Sequence, residues 1–118
     1  MGRIGAVAAL YGALAVALGA FGAHSLQSVF SPDQLATWDT ASRYLMAHAL
    51  AALIAAYAGY HKPATAMLLG AGLFSGSLFV YLLAGWRPLV FVTPIGGLLM
   101  VASWLWMAHA IWHRRTAQ

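Results

Sequence analysis

Residues 64–111 read ATAMLLGAGLFSGSLFVYLLAGWRPLVFVTPIGGLLMVASWLWMAHAI. This stretch holds two apolar runs, Ala64 to Trp86 and Leu89 to Ile111, with one charged residue, Arg87, at their junction. At 1.5 Å rise per residue each run of about 23 residues reaches roughly 34 Å, more than a hydrocarbon core of about 30 Å requires. Gly85-Trp86-Arg87-Pro88 at the junction combines a helix-stopping glycine with a proline suited to a helix start, so the stretch reads as a helical hairpin across a membrane. Two further apolar runs lie upstream, Ile4 to Ala23 and Tyr44 to Tyr60.

The composition agrees. Of 118 residues (12.5 kDa), 63% are hydrophobic and 7% charged, with mean hydropathy +0.79. A soluble domain of this size carries about a quarter charged residues, and disorder needs low hydrophobicity, so both classes are excluded. With no Cys there is no disulfide framework and no thiolate metal site. The net charge of +4 and pI near 10.0 arise from basic residues placed singly or in pairs at the edges of apolar runs. They form no basic stripe, which argues against nucleic acid as a partner.

The expected fold is all-α and integral to the membrane: one domain, 1–118, forming an up-down bundle of four transmembrane helices. The approximate spans are 4–24, 41–61, 64–86 and 93–112. Arg3 ahead of the first run resembles a signal-peptide start, but that run is longer than a typical signal core and reads as a span. Ser31-Pro32-Asp33-Gln34 reads as a helix start, with Ser31 the cap, Pro32 at the first position and Gln34 completing a capping box. A partly interfacial segment, 31–43, therefore precedes the second span. It carries Asp39 and Arg43 at ion-pair spacing and Trp38 as an interface anchor. Lys62-Pro63 is expected to separate the second and third helices. Thr93 is expected to cap the fourth, with Pro94 at its first position.

Four spans put both termini on one side with Arg3, Lys62, Arg114 and Arg115. The other side holds Arg43, Arg87, Asp33 and Asp39. The positive-inside rule then places the termini in the cytoplasm, or in the matrix of an organelle.

Gly5, Ala8, Gly12, Ala15, Gly19 and Gly22 alternate at three and four residues, giving the first helix a seam of small side chains for close packing. Ala51, Ala55 and Ala58 form a comparable stripe below His48, and Gly72 to Gly76 is a GxxxG pair.

Four segments together carry a family resemblance: Gly19-Ala20-Phe21-Gly22-Ala23-His24; Trp38 with Thr40-Ala41 through Tyr44 to His48-Ala49-Leu50; Leu73-Phe74-Ser75-Gly76-Ser77-Leu78; and Thr93-Pro94-Ile95-Gly96-Gly97. In order and spacing the chain resembles the small four-helix membrane proteins of domain of unknown function 423, a family with bacterial inner-membrane members and a mitochondrial-type relative in animals. The resemblance covers nearly the whole chain and implies the fold; it carries no assigned biochemical activity. Phe79 departs from the pattern, which usually has Tyr there, and any role of that phenol would pass to Tyr81 or be lost.

No carboxylate lies within a span, which disfavours an ion-coupled transporter, and neither a phosphate loop nor a Ser-His-Asp set is present. The candidate polar cluster is His24, His48, Ser75, Ser77 and Thr93, all expected in the outer half of the membrane, with His48 bonded to one of the other four. It serves either as a hydrogen-bond network fixing helix register or as a ligand, proton or ion site. His109 and His113 share a helix face and His61 could approach them, but they lack the third fixed ligand and carboxylate that a metal site uses. Haem between His24 and His48 would need a large cavity. No metal, cofactor or catalytic residue is therefore assigned. The expected function is a non-enzymatic structural, assembly or membrane-homeostasis component, contacting lipid and, in a homo-oligomer or with another membrane protein, a partner chain. The alternative is binding or transport of a small solute, ion or lipid through the outer polar cluster. An enzyme ranks third.

Overall fold

A computed structural model describes residues 2–117, with side chains described through Arg114. Met1, Gln118 and the Arg115 side chain used in the charge argument lie outside the described residues. Four helices follow one another: α1 (Gly2–His24), α2 (Pro32–Tyr57), α3 (His61–Ala84) and α4 (Val92–Ala117). A short 3-10 turn, Arg87–Phe91, leads into α4.

The local signals at the start of α2 act as their chemistry requires. The Ser31 hydroxyl accepts the Gln34 amide (3.2 Å), and the Gln34 side chain accepts the Ser31 amide (2.9 Å). Asp39 pairs with Arg43 at 2.8 Å on the exposed face. Gly85, at φ +70°, closes α3 in the left-handed conformation that favours glycine, its amide donating to the Tyr81 carbonyl at 2.8 Å.

Two boundaries differ from expectation. The α2–α3 break falls at Gly59 (φ +93°), and Lys62-Pro63 lie inside the first turn of α3. A proline within a helix's first turn removes no intrahelical bond, so it marks the start without making the break. Thr93 does not cap α4. That helix begins one residue earlier, and the Thr93 hydroxyl turns back to the Leu89 carbonyl (3.3 Å).

Each helix packs on the next, α1 on α2, α2 on α3 and α3 on α4, with a lighter α1–α3 contact. Among the described residues α1 and α4 share no comparable face, so the ring of helices stays open and α2 and α3 form its middle. The inner pair bury nine residues each, α1 only four. Two core clusters run along the bundle. One packs Ala8 against Ala52, Ala55, Ala56, Ala64 and Met67; the other surrounds Trp38 with Leu26, Leu45, Ala71 and Phe79. Trp38 is therefore no interface anchor: it is 1% exposed, enclosed by Phe21, Phe30 and Phe79.

By length and composition, three segments suffice to cross a membrane: Gly2–His24, His61–Ala84 and Arg87–Arg114. α2 is equally long but less apolar, since Asp33, Asp39 and Arg43 occupy its first half and alanines much of its second. The long axis of the molecule, 55 Å, exceeds the about 40–45 Å of a bilayer with its head groups.

Close approach of backbones occurs where the GxxxG pair does not predict it. A Cβ on Gly96 would lie 2.8 Å from the Phe74 Cα and 2.9 Å from the Gly70 carbonyl oxygen, and one on Gly70 would lie 2.9 Å from the Met100 amide nitrogen. Gly70 and Gly96 are thus the crossing point of α3 and α4. By contrast, a Cβ on Gly12 or Gly76 meets nothing within 4 Å, and one on Gly19 makes ordinary contact with Ser42 at 3.7 Å. The small-residue seam of α1 is buried at Gly5, Ala8, Ala15 and Gly22 and looser between. The spacing marked a face of α1; it did not mark which of its members touch.

Candidate functional site

Apart from an exposed bond from Arg114 at the end of α4, five side-chain hydrogen bonds join helices, and each joins a different pair. Tyr11 donates to the Leu68 carbonyl (2.9 Å, α1–α3) and the Trp38 indole to the Leu18 carbonyl (2.7 Å, α2–α1). Ser75 donates to the Ala41 carbonyl (2.7 Å, α3–α2), the Trp104 indole to His48 Nε2 (3.0 Å, α4–α2), and the Ser77 and Thr93 hydroxyls bond each other (α3–α4). Only the α1–α4 pair, which shares no comparable face, lacks such a bond among the described residues.

The first two bonds use one device. A helix carbonyl already accepts the amide four residues on, and a side chain at that later position shields it. Here those positions are Gly22 and Gly72. A Cβ on Gly72 would sit 2.6 Å from the Tyr11 hydroxyl, and one on Gly22 would lie 2.6 Å from the Trp38 indole nitrogen. Each glycine leaves a window through which an aromatic donor reaches the carbonyl of the preceding turn. Gly22 and Gly72 of the packing seam thus accommodate polar aromatic groups where Gly70 and Gly96 accommodate backbone.

The candidate polar residues separate into three bonds and one outlier. His24 is exposed at the end of α1 and joins none of the others. Ser75, fully buried, is spent on α2, and Ser77 with Thr93 on the α3–α4 contact. His48 is 7% exposed and faces inward as expected. Its interhelical partner is Trp104, which lies outside the proposed set. An indole N–H can only donate, so Nε2 accepts and the ring proton sits on Nδ1, within 2.8 Å of the Tyr44 carbonyl that receives it. Both ring nitrogens are engaged in these contacts. The signal for Trp104 was present: an indole N–H within an apolar run needs an acceptor, and His48 is one of few side chains able to supply it. The alanine stripe beneath His48 is shifted, with Ala52, Ala55 and Ala56 buried and Ala58 exposed.

The His109 and His113 rings lie with centroids 4.2 Å apart, their planes tilted by 57°. Among the described residues no three His, Asp or Glu side chains gather as a metal site would require. Arg114 instead anchors the end of α4, donating to the Ala58 carbonyl at the end of α2 (2.6 Å) and lying 5.1 Å from the Tyr60 ring centre.

Because the ring of helices is open, two cavities that share Pro94 lie between α2 and α4 over α3, and together they form the α2–α4 groove. Its outer part, about 660 Å³, is lined by Asp33, Gln34, Thr37, Tyr81 and Arg87. Its inner part, about 620 Å³, is lined by Phe74, Leu98, Val101 and the His48–Trp104 pair. Pro94 borders both. Phe79 takes no part: its ring packs edge-on to Trp38 at 4.6 Å, and Tyr81 faces the groove instead.

A family model described as "Protein of unknown function (DUF423)" matches residues 18–97, spanning Gly22, the Trp38 core, the Ser75 bond and the Gly70–Gly96 crossing. The chain belongs to the DUF423 family. It is 40% identical to a UPF0382 membrane protein of Staphylococcus aureus, over 82% of this chain and 84% of that one. It is 38% identical to the UPF0382 membrane protein YwdK of Bacillus subtilis (86% and 87%) and 40% identical to a UPF0382 membrane protein of Schizosaccharomyces pombe (86% and 94%). No solved structure matches the chain. The family is one of membrane proteins, and the helices with their apolar outer faces accord with it.

Proposed function

We propose that this DUF423 protein is a four-span component of the bacterial inner membrane with both termini cytoplasmic, acting without catalysis as a structural, assembly or membrane-homeostasis factor. The observation that carries this reading is the allocation of polar side chains. Each of the five interhelical bonds holds a separate helix pair, and no buried side-chain nitrogen or oxygen among the described residues lacks a partner. A catalytic set joins a nucleophile, a base and an orienter to one another; these side chains instead bond mainly to backbone carbonyls across helix pairs, holding helix register. The lower apolarity of α2 comes from Asp33, Asp39 and Arg43 in its first half, which in this reading lies beside the head groups. Arg3, Lys62 and Arg114 at the end of the molecule carrying the termini support the orientation.

His48 provides the test. His48→Gln retains an acceptor for Trp104 and should keep the fold and the cellular function. His48→Leu should destabilise by about 0.6 kcal/mol, and at most near 1.7, the range for interhelical bonds in membranes. Function assayed in a deletion strain should follow the amount of folded protein. Loss of function in His48→Gln at wild-type folded level would instead reveal chemistry at the imidazole and overturn the non-catalytic reading.

The α2–α4 groove favours a second reading, binding of a lipid or small solute, since it offers charged and polar groups at one end and apolar walls at the other.

A further inference from the structure

We infer that the α2–α4 groove holds one glycerophospholipid whose head carries a phosphate and a primary ammonium, as in phosphatidylethanolamine. The inference rests on α2 spanning the membrane, as proposed above.

The groove follows one face of each bounding helix. On α2 it runs from Asp33 through Thr37 and Tyr44 to His48, on α3 from Tyr81, next to the closing Gly85, through Leu78 to Phe74, and on α4 from Pro94 through Leu98 and Val101 to Trp104. From Asp33 to His48 is 15 residues of helix, about 22 Å at 1.5 Å each. Half a bilayer including its head groups is about 20–22 Å thick. Taken end to end through Pro94, the two cavities therefore have the length of one leaflet, polar in the first and apolar in the second, the same order as in a lipid.

The charges at the mouth select the head group. Among the described residues the one ion pair is Asp39–Arg43, so Asp33 and Arg87 border the same cavity without pairing with each other. A zwitterionic head complements both: its phosphate meets the Arg87 guanidinium and its ammonium the Asp33 carboxylate. A primary ammonium donates hydrogen bonds to that carboxylate, whereas a quaternary one cannot and is recognised through aromatic cages, for which Tyr81 is the sole ring among the residues lining the mouth. An anionic head would leave Asp33 facing like charge. Deeper in, the exposed Leu98 and Val101 and the ring of Phe74 offer a wall for an acyl chain. The His48–Trp104 bond closes the inner end with its polar atoms already paired.

The test uses the full chain reconstituted in vesicles of equal parts phosphatidylethanolamine, phosphatidylglycerol and phosphatidylcholine, extracted and examined by native mass spectrometry. One phosphatidylethanolamine should remain on each chain, about tenfold more often than either other lipid, the factor one charge-assisted hydrogen bond supplies. Arg87→Gln, on the exposed turn, should remove that preference. Val101→Trp should abolish retention by filling the inner groove, with helicity by circular dichroism unchanged. Equal retention of all three lipids, unaltered by Val101→Trp, would overturn the inference, as would a stable dimer crosslinked through Leu98 and Val101, which would give the groove to a second copy. If cysteines at positions 28 and 62 label from one side, the spanning reading itself fails. Loss of lipid retention with those sites on opposite sides removes the lipid alone.

Discussion

Gly96→Ala should be among the most damaging single-methyl additions in the chain. The added carbon would meet the Phe74 amide nitrogen, the Phe74 Cα at 2.8 Å and the Gly70 carbonyl oxygen at 2.9 Å. All three are backbone atoms, so no side-chain rotation relieves the clash and α3 and α4 must separate. Overpacking typically costs about 1–3 kcal/mol, and a clash with rigid backbone belongs at the upper end. Separation would also stretch the Ser77–Thr93 bond one turn away. Gly12→Ala and Gly76→Ala provide the contrast. Their new methyls enter open space, so better helix propensity should leave stability unchanged or raise it by up to about 1 kcal/mol. Thermal unfolding in detergent distinguishes these outcomes. A Gly96→Ala midpoint equal to that of Gly12→Ala would show that the crossing is not where the geometry places it.

Trp38→Ala should cost about 3–5 kcal/mol, the usual range for removing a large buried aromatic side chain. The indole is 1% exposed and touches α1, α3 and the loop through Phe21, Phe79 and Phe30. Trp38→Phe keeps much of that packing and loses the bond to the Leu18 carbonyl. Its cost should be closer to about 1–2 kcal/mol, combining one interhelical bond with a partial cavity. Equilibrium unfolding of the three proteins in mixed micelles would check the order. Equal losses for the two variants would assign the effect to the hydrogen bond and not to the ring.

The sequence disclosed what depends on neighbours along the chain. The Ser31 capping box and the Asp39–Arg43 pair are local and formed as their spacing implied, and the apolar runs lie largely within the four helices. Contacts across the bundle were less visible. Gly70, Ala71 and Gly72 are consecutive and small, and periodicity cannot tell which of them meets another backbone, which admits a tyrosine hydroxyl and which is simply buried. Trp38 resembles an interfacial tryptophan because it follows Asp33 and precedes Asp39. Its burial depends on Leu26 and Phe30 folding back from the loop, which no repeat reveals. The polar candidates were chosen by expected depth, and depth alone does not bring side chains together. His48 met Trp104 because the groove lies between α2 and α4, an arrangement set by the open ring of helices.

The central claim is that α2, the least apolar helix, crosses the membrane between the others. The native chain has no cysteine, so Ser28→Cys, in the loop before α2, and Lys62→Cys, at the start of α3, each supply a unique label site. In oriented membrane vesicles a charged maleimide should reach position 62 from the cytoplasmic face and position 28 only from the opposite face. Labelling of both positions from the same face would contradict the account.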